Sequence, residues 1–260
     1  MTGDKPLILV TNDDGIVSDG IRAVATTLAH DYDVIVAAPA ADMSGAGTGI
    51  GRFDVEAGVE LTPVELDNVP RAYSIDGPPG LAVMAAALGA FGPIPDLVVS
   101  GINAGINTGH SVIHSGTVGA ALTAHTFSMR GLAVSVAQSD PWQWQTAAGY
   151  ASSAAGWMLS QRRRPFVLNI NVPALPADEV KGVRWADLDE FGYFRVATAD
   201  VDDRRLQFVV GSRENISDPA SDTVLCQEGN VTITPLATVG PAPFPDIAAE
   251  EVVNRGMVSV

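Results

Sequence analysis

The sequence predicts an α/β protein with a Rossmann-like, doubly wound and mostly parallel sheet, followed by a β-rich C-terminal appendage. Short apolar runs that end in Gly, Asn, Pro or Asp alternate with longer helical patterns, as in repeated βαβ units. These runs are continuously apolar, which is typical of parallel strands covered by helices on both faces. After Val183 the pattern changes to short alternating runs with aromatic and charged residues, which predicts hairpins.

The elements are predicted in the order of this alternation. Strands are expected over Leu7–Thr11, Val34–Ala38, Leu97–Ser100, Leu132–Val136 and Phe166–Val172. Helices are expected over Ile21–His30, Leu81–Leu88, Thr117–Ser128 and Trp142–Leu159, and a short amphipathic helix is expected around Ile247–Asn254. The change of pattern divides the chain into a core over residues 1–182 and a C-terminal segment over residues 183–260.

The charge of the chain limits its partners. Fifteen basic and thirty acidic side chains give a formal net charge of −15. Such a field repels the phosphates of long nucleic acid and an anionic membrane surface, so neither partner is expected. It also repels a small phosphorylated substrate unless a bound cation reverses the local sign. A phosphorylated ligand therefore implies a metal ion.

The chain shows no feature of a secreted or membrane protein. Cys226 is the single cysteine, so an internal disulfide is excluded, a reducing compartment is expected and the side chain is read as part of the core. The first residues lack the pattern of a signal peptide, and no apolar run reaches the roughly 18 residues of a spanning helix. We expect a cytoplasmic protein.

Two adjacent carboxylates follow the first predicted strand, in Asn12-Asp13-Asp14-Gly15. Ligands of open α/β sheets bind at the carboxyl ends of the strands. Crowded carboxylates raise each other's pKa unless a cation binds them, and hard oxygen ligands select Mg²⁺, Mn²⁺ or Ca²⁺. The alternative is a turn that caps the next helix.

A Gly-rich loop follows the second predicted strand and contains Ser44 and Gly45. Its backbone N–H groups can approach an anion, and the Ser44 hydroxyl can reach an ion. A flexible surface loop explains the glycines equally well. The loop lacks the Lys and the Ser or Thr of a Walker A motif.

The most informative stretch runs from Ser100 to Ala121 and contains Asn103 and Asn107 in a polar, Gly-rich loop. Ser115 can cap the helix that follows, and the N–H groups of Gly116 and Thr117 at the start of that helix can bind phosphate. Ser115 as a cap alone would leave the two asparagines unexplained.

These blocks resemble the SurE family of 5′/3′-nucleotidases. The resemblance rests on Asn12-Asp13-Asp14-Gly15, Ala38-Pro39 with Ser44-Gly45, Ser100-Gly-Ile-Asn103-Ala-Gly-Ile-Asn107, Ser115-Gly-Thr-Val, Asn169-Ile-Asn171-Val-Pro173 and Ser221-Asp222 leading to Val231-Thr-Ile-Thr-Pro235-Leu236. It covers nearly the whole chain in order.

The resemblance implies a phosphomonoesterase that uses Mg²⁺ or Mn²⁺ on a small substrate such as a nucleoside monophosphate. The implied metal ligands are Asp13, Asp14, Ser44 and Asn103. The implied phosphate-side residues are Asn107, Ser115, Gly116 and Thr117, and we add Gly45 and His114 as candidates near the substrate. Asp13 would orient or deprotonate water, or act as a nucleophile, while Asn107 and Ser115 would stabilise the phosphoryl group. A homodimer or homotetramer is implied, in which the C-terminal part exchanges a segment between subunits.

The chain departs from the family pattern in places that we expect near the substrate. Thr48-Gly49-Ile50-Gly51 replaces a polar run, Gly77 to Ala82 lacks a Thr cap and an acid, and Thr123-Ala124 replaces a Glu-Gly pair. His114 stands where the family has Tyr, and it can act as a general acid or simply fill that space. These changes put nucleoside recognition in question.

Two further functions compete with an active phosphatase. A regulatory protein that binds metal and phosphate without turnover would keep the same ligands. A dinucleotide-dependent oxidoreductase is disfavoured, because no G-x-G-x-x-G follows the first strand and Asp13 and Asp14 would repel the pyrophosphate.

Overall fold

A nine-stranded sheet forms the centre of the protein, as seen in a computed structural model that describes residues 5–54, 56–190, 196–202, 205–210 and 218–239. Its strands are β1 (Leu7–Thr11), β2 (Asp33–Pro39), β3 (Leu61–Pro63), β4 (Ala72–Ile75), β5 (Leu97–Ala104), β6 (Arg130–Val136), β7 (Val167–Val172), β8 (Gly182–Trp185) and β11 (Asn230–Leu236). Strands β9 (Val196–Asp202) and β10 (Arg205–Val210) form a separate antiparallel pair.

Five α-helices and one 3₁₀ helix accompany the strands in the described residues. They are α1 (Asp19–Leu28), α2 (Pro79–Ala87), α3 (Gly116–Thr126), α4 (Trp144–Ser160) and α5 (Asp222–Gln227), with the 3₁₀ helix over His110–His114. No helix in this part of the chain is long and apolar enough to cross a membrane.

The strand order of the large sheet is β3-β4-β2-β1-β5-β6-β7-β11-β8. Six of its eight neighbouring pairs are parallel, and β3 with β4 and β7 with β11 are antiparallel. The chain passes from β1 to β2 on one side and later returns to β5 on the other side of β1. A crevice between the carboxyl ends of β1 and β5 is therefore the expected ligand site of this fold.

Helices cover both faces of the sheet, and the central strand shows why its apolar run is continuous. Ile8 and Val10 belong to the core on the side of α1 and α4. Leu7 and Leu9 belong to the core on the side of α2 and α3. Because successive side chains of a strand point to opposite faces, both sets must be apolar when both faces are covered.

The predicted α/β fold is confirmed, with most element ends within two or three residues of those observed. The main differences are β3, β4, α5 and β11, which the sequence did not predict, and β5, which continues to Ala104 instead of ending at Ser100. The predicted hairpin pattern holds for β9 and β10, whereas β8 joins the large sheet parallel to β11. Cys226 is buried, as expected. The division at residue 182, the exchange between subunits and the oligomer stay predictions, and the helix expected around Ile247–Asn254 lies outside the described residues.

Candidate active site

Asp13 and Asp14 follow β1 directly and stand at the crevice between β1 and β5. The turn that contains them is closed by other side chains. Asn12 Nδ2 donates to the Gly15 carbonyl at 3.2 Å and to Ser18 Oγ at 2.7 Å, and Asn12 Oδ1 accepts from Gly15 N at 3.2 Å. Ser18 caps α1 by accepting from Ile21 N. The turn and the cap thus use the side chains of Asn12 and Ser18 and do not involve the two carboxylates.

The start of α3 holds Asp13 in place. The Thr117 hydroxyl donates to Asp13 Oδ1, and the backbone N–H groups of Gly116 and Thr117 also donate to this carboxylate. A Cβ on Gly116 would stand 2.7 Å from Asp13 Cβ and Oδ2, so only glycine permits this approach. The start of α3, which was predicted to bind phosphate, therefore contacts Asp13. A contact of Gly116 or Thr117 with phosphate stays a prediction.

Burial and mutual repulsion raise the pKa values of these two carboxylates, so that ionising both without a nearby cation is unfavourable. Burial raises the pKa of Asp13, although its hydrogen bonds to Thr117 and Gly116 oppose the shift. Burial, followed by the charge of Asp13, raises the pKa of Asp14 to about 6. Asp42 adds a smaller repulsion to Asp14, and this third carboxylate was not predicted from the sequence.

Asn103 is directed to the same place by an irregularity in β5. The pairing of β5 with β6 shifts between Ser100 and Asn103, and Gly101, with a φ of 138°, lies so close to β6 that a Cβ would stand 2.3 Å from the Val134 carbonyl oxygen. Such a bulge redirects the side chain that follows it. Asn103 Nδ2 donates to the Gly105 carbonyl at 2.7 Å, and its Oδ1 lies 3.3 Å from Thr117 Oγ1.

Ser44 and Gly45 line the same pocket from the Gly-rich loop. The N–H and the hydroxyl of Ser44 both donate to Asp42 Oδ1, at 2.7 and 2.6 Å. The hydroxyl oxygen keeps its lone pairs for a ligand. Gly45 has a φ of 85°, and a Cβ there would meet no heavy atom within 4 Å.

Two asparagines of β7 hold Asn107 at the pocket wall. Asn169 Nδ2 and Asn171 Nδ2 both donate to the Asn107 carbonyl at 2.8 Å, and Asn171 Oδ1 accepts from Asn107 N at 2.8 Å. The side chain of Asn107 donates to Ser135 Oγ at 2.9 Å. The sequence analysis gave Asn169 and Asn171 only as part of a matching block. Their spacing by two, which places both on one face of a strand, is the signal that could have indicated this support.

Asp222, at the start of α5, supports the other end of this loop. Its side chain is fully buried and accepts from Gly109 N at 3.0 and 3.1 Å, from Asp189 N at 3.0 Å and from Thr223 N at 2.8 Å. Burial raises the pKa of Asp222, and these N–H groups oppose the shift. The sequence showed Asp222 only as part of a matching block, without this role.

Ser115 is both a cap and a pocket residue. Its Oγ accepts from Val118 N at 3.2 Å, so the cap predicted as the alternative is present. The hydroxyl proton stays available, and Ser115 lines the pocket. His114 also lines the pocket and is exposed, with its carbonyl accepting from Gly47 N at 3.2 Å.

Eight of the predicted site residues line one pocket of about 1070 Å³, namely Asp13, Asp14, Ser44, Gly45, Asn103, Asn107, His114 and Ser115. Gly116 and Thr117 are not among its described lining residues. The other end of the pocket contains residues that the sequence reading did not select. They are Gln138, Trp142, Pro173, Ala174, Leu175, Lys181, Cys226, Gln227, Glu228 and Gly229. They come from four separated stretches, so no local pattern could reveal them.

Apart from His114, which lines the pocket, the departures from the family pattern lie elsewhere. Residues 48–51 and 77–82 are absent from the described lining of the pocket. Instead these two stretches pack against each other. A Cβ on Gly80 would stand 2.9 Å from the Gly49 carbonyl oxygen and 3.4 Å from Thr123 Oγ1. A Cβ on Gly51 would stand 3.0 Å from Pro78. The departures are therefore parts of one packing contact beside α2 and α3.

The donor set suits a hard divalent cation. In the described residues no group of three or more His, Cys, Asp or Glu side chains is placed to hold a metal, so an ion here would rely on Asp13, Asp14 and neutral oxygens. Mg²⁺ binds in this way, through one or two carboxylates, water and substrate phosphate. Such an ion would offset the burial and the repulsion that raise the pKa of Asp14 to about 6, because a nearby cation favours the ionised carboxylate.

Fold and site together define an α/β protein with a paired-carboxylate site at the switch point of its sheet. The family model described as "Survival protein SurE" matches residues 8–194. The 5′-nucleotidase SurE of Moorella thermoacetica is 36% identical over 238 residues, 88% of this chain and 89% of that protein. The 5′-nucleotidase SurE of Histophilus somni is 37% identical over 243 residues, 89% of this chain and 92% of that protein. The crystal structure of the SurE protein from Aquifex aeolicus matches with a TM-score of 0.76 and 25% identity, over 96% of this chain and 98% of that one. The chain belongs to the SurE family.

Proposed function

We propose that this protein is a divalent-metal-dependent phosphatase that hydrolyses nucleoside monophosphates or a related small phosphomonoester. The observation that carries the proposal is the adjacent pair of Asp13, which is buried, and Asp14, which is half-buried, at the sheet crevice. Both have raised pKa values, that of Asp14 to about 6. The relatives named 5′-nucleotidase support the nucleotide as substrate.

Asp13, Asp14, Ser44 and Asn103 would hold Mg²⁺ or Mn²⁺ through oxygen atoms. When bound, the ion supplies Lewis acidity toward a phosphoryl oxygen and toward water. It also offsets the acidic charge of the chain for an anionic substrate.

Asp13 orients the attacking water and takes a proton from it. Its carboxylate is fixed by Thr117 and by the N-terminus of α3, so it needs no rearrangement when the substrate arrives. Attack forms one bond from the water oxygen to phosphorus and breaks the ester P–O bond, and the leaving oxygen takes a proton. His114, exposed in the same pocket, is the candidate donor of that proton.

Asn107 and Ser115 contact the phosphoryl group. One amide hydrogen of Asn107 is used by Ser135, and the other is left for a phosphate oxygen. Ser115 accepts the cap hydrogen bond through its oxygen and still has a proton to donate. Both donors are held by the protein before substrate binds, which is the condition for electrostatic stabilisation of a transition state.

The test is phosphate release from nucleoside monophosphates, sugar phosphates and an aryl phosphate, each with Mn²⁺, Mg²⁺ or a chelator. Asp13→Asn serves as the blank, and Asp31→Asn, at an exposed site on the turn after α1, is the matched control. We expect release that depends on metal, persists in Asp31→Asn and is absent in Asp13→Asn. Folded protein that binds Mn²⁺ but releases no phosphate from any substrate would favour the regulatory binding protein instead.

A further inference from the structure

The pocket is larger than a metal and a phosphate require. Its volume of about 1070 Å³ lies just above the roughly 300–1,000 Å³ usual for ligand sites. Asp13, Asp14, Asn103, Asn107 and Ser115 account for one end. The other end, where Trp142, Leu175 and Lys181 lie, has no role in holding the ion or the phosphoryl group, so it is available to the leaving group.

Trp142 gives this end an aromatic wall. It lies on the connection between β6 and α4, which begins at the carboxyl edge of the sheet beside β5. The Trp142 ring stacks on the Trp144 ring, with centroids 5.0 Å apart and planes 15° apart. Trp144 is in turn packed against α1, since its Cζ3 would lie 3.1 Å from a Cβ on Gly20. The Trp142 ring is thus held in position before a ligand binds.

Packing alone is the alternative explanation for Trp142, because the ring also contacts the core beneath α4. A ring that only filled the core would not need to border the pocket. Trp142 does border it, and it is half-buried, so part of the ring is open to a ligand.

Lys181 adds a cation at the same end. Its backbone N–H donates to the Gly229 carbonyl at 3.0 Å, and its Cδ and Cε would lie 3.6 and 3.5 Å from a Cβ on Gly229. Leu175 Cδ1 would lie 3.1 Å from the same point, so Leu175 and Lys181 share one wall. Neither of the two ion pairs in the described part of the chain involves Lys181. Its ammonium group has three hydrogens to donate and accepts none, which suits the ring nitrogens and carbonyl oxygens of a base.

We propose that Trp142, with Leu175 and Lys181, forms a subsite that binds the nucleobase of the substrate by stacking on the Trp142 ring. The proposal rests on the phosphatase function above and deepens it: the substrate is a nucleotide because this end of the pocket binds the base. Selectivity then resides in residues 142, 175 and 181, and not in the altered stretches 48–51 and 77–82.

The test compares two substrates that differ only in the base, a nucleoside 5′-monophosphate and ribose 5-phosphate. Base stacking on an aromatic side chain is worth about 1–3 kcal/mol, so Trp142→Leu should lower kcat/KM for the nucleotide by roughly 5- to 150-fold, mainly through KM. The rate with ribose 5-phosphate should not change. Trp142→Phe should restore most of the loss. Trp157→Leu, on α4 and outside this pocket, is the matched control.

A second measurement separates this subsite from catalysis. Equilibrium dialysis with Mn²⁺ and a non-hydrolysable phosphonate analogue of the same nucleotide measures binding to the otherwise wild-type protein without turnover, and Trp142→Leu should weaken that binding by a similar factor. An equal loss for nucleotide and ribose 5-phosphate would mean a structural role for Trp142 and overturn the subsite. Nucleotide binding that does not respond to Trp142→Leu would overturn it as well. Absence of turnover in the wild-type protein would count against the phosphatase alone, because the dialysis result still decides the subsite.

Discussion

The two ends of the pocket are built differently. The end that contains Asp13 and Asp14, called the acidic end, is assembled from strand ends and a helix start. Hydrogen bonds hold its functional side chains, as Thr117 holds Asp13 and as Asn169 and Asn171 hold Asn107. The end with Trp142 and Lys181 is assembled from loops and packing contacts. The difference suggests that the acidic end performs the reaction and tolerates little change, while the other end selects the substrate and can vary.

The largest effect is expected at Asp13. Asp13→Asn keeps the size of the side chain but removes the negative charge and the base, so kcat should fall by at least ~10²-fold. Phosphate release under saturating Mn²⁺ measures this change, with Asp31→Asn as control and circular dichroism to confirm the fold. A variant with near-wild-type kcat would remove Asp13 from the mechanism.

A smaller but still large effect is expected when the support of Asp13 is changed. The Cβ of Gly116→Ala would stand 2.7 Å from Asp13 and must displace it, so we expect roughly 10-fold lower kcat/KM, the size of a misplaced catalytic group. Gly149→Ala is the matched control, since a Cβ there meets no heavy atom within 4 Å. Equal activity of the two alanine variants would show that the close approach of α3 to Asp13 is unimportant.

Asp222 tests whether the loop around Asn107 depends on a buried carboxylate. Asp222→Asn replaces one accepting oxygen by a donor. This donor faces the N–H of Gly109 in either orientation of the amide, and also those of Asp189 and Thr223 where it replaces Oδ1, which should cost about 1–3 kcal/mol of unfolding free energy. Thermal unfolding should show a lower Tm, by roughly 2–4 °C for each kcal/mol lost. An unchanged Tm would mean that these N–H groups find other partners.

The smallest effect is expected at Lys181. An exposed charge contributes about 0.2–1 kcal/mol, so Lys181→Gln should lower kcat/KM for a nucleotide by no more than roughly five-fold, and added salt should reduce the difference. Lys5→Gln, at an exposed lysine outside the pocket, is the control. A loss of about 100-fold would place Lys181 at the phosphoryl group instead.

The fold and the acidic end could be predicted from the sequence because each corresponds to a pattern of neighbouring residues in the chain. The continuous apolar run of β1 followed by Asp13 and Asp14 is visible in eight residues. Strands β3 and β4 could not be predicted because they span only three and four residues. The predicted end of β5 at Ser100 is too early because Gly101, which lies at the bulge, resembles a strand end.

The other end of the pocket could not be read because it depends on contacts between distant residues. Lys181 and Leu175 both pack against Gly229, and the Trp142 ring stacks on the Trp144 ring, but none of these residues belongs to a sequence motif. The departures at Gly49 and Gly80 were expected near the substrate for the same reason: only the fold shows that they pack against each other.

The most direct test of the central claim is phosphate release from a nucleoside 5′-monophosphate by protein stripped of metal with a chelator and then given back Mn²⁺ or Mg²⁺. In the proposed mechanism a cation offsets the repulsion between an anionic phosphate and the carboxylates of Asp13 and Asp14, so we expect no release from the stripped protein and full recovery with the ion. Undiminished release in excess chelator would contradict the metal site and the mechanism built on it.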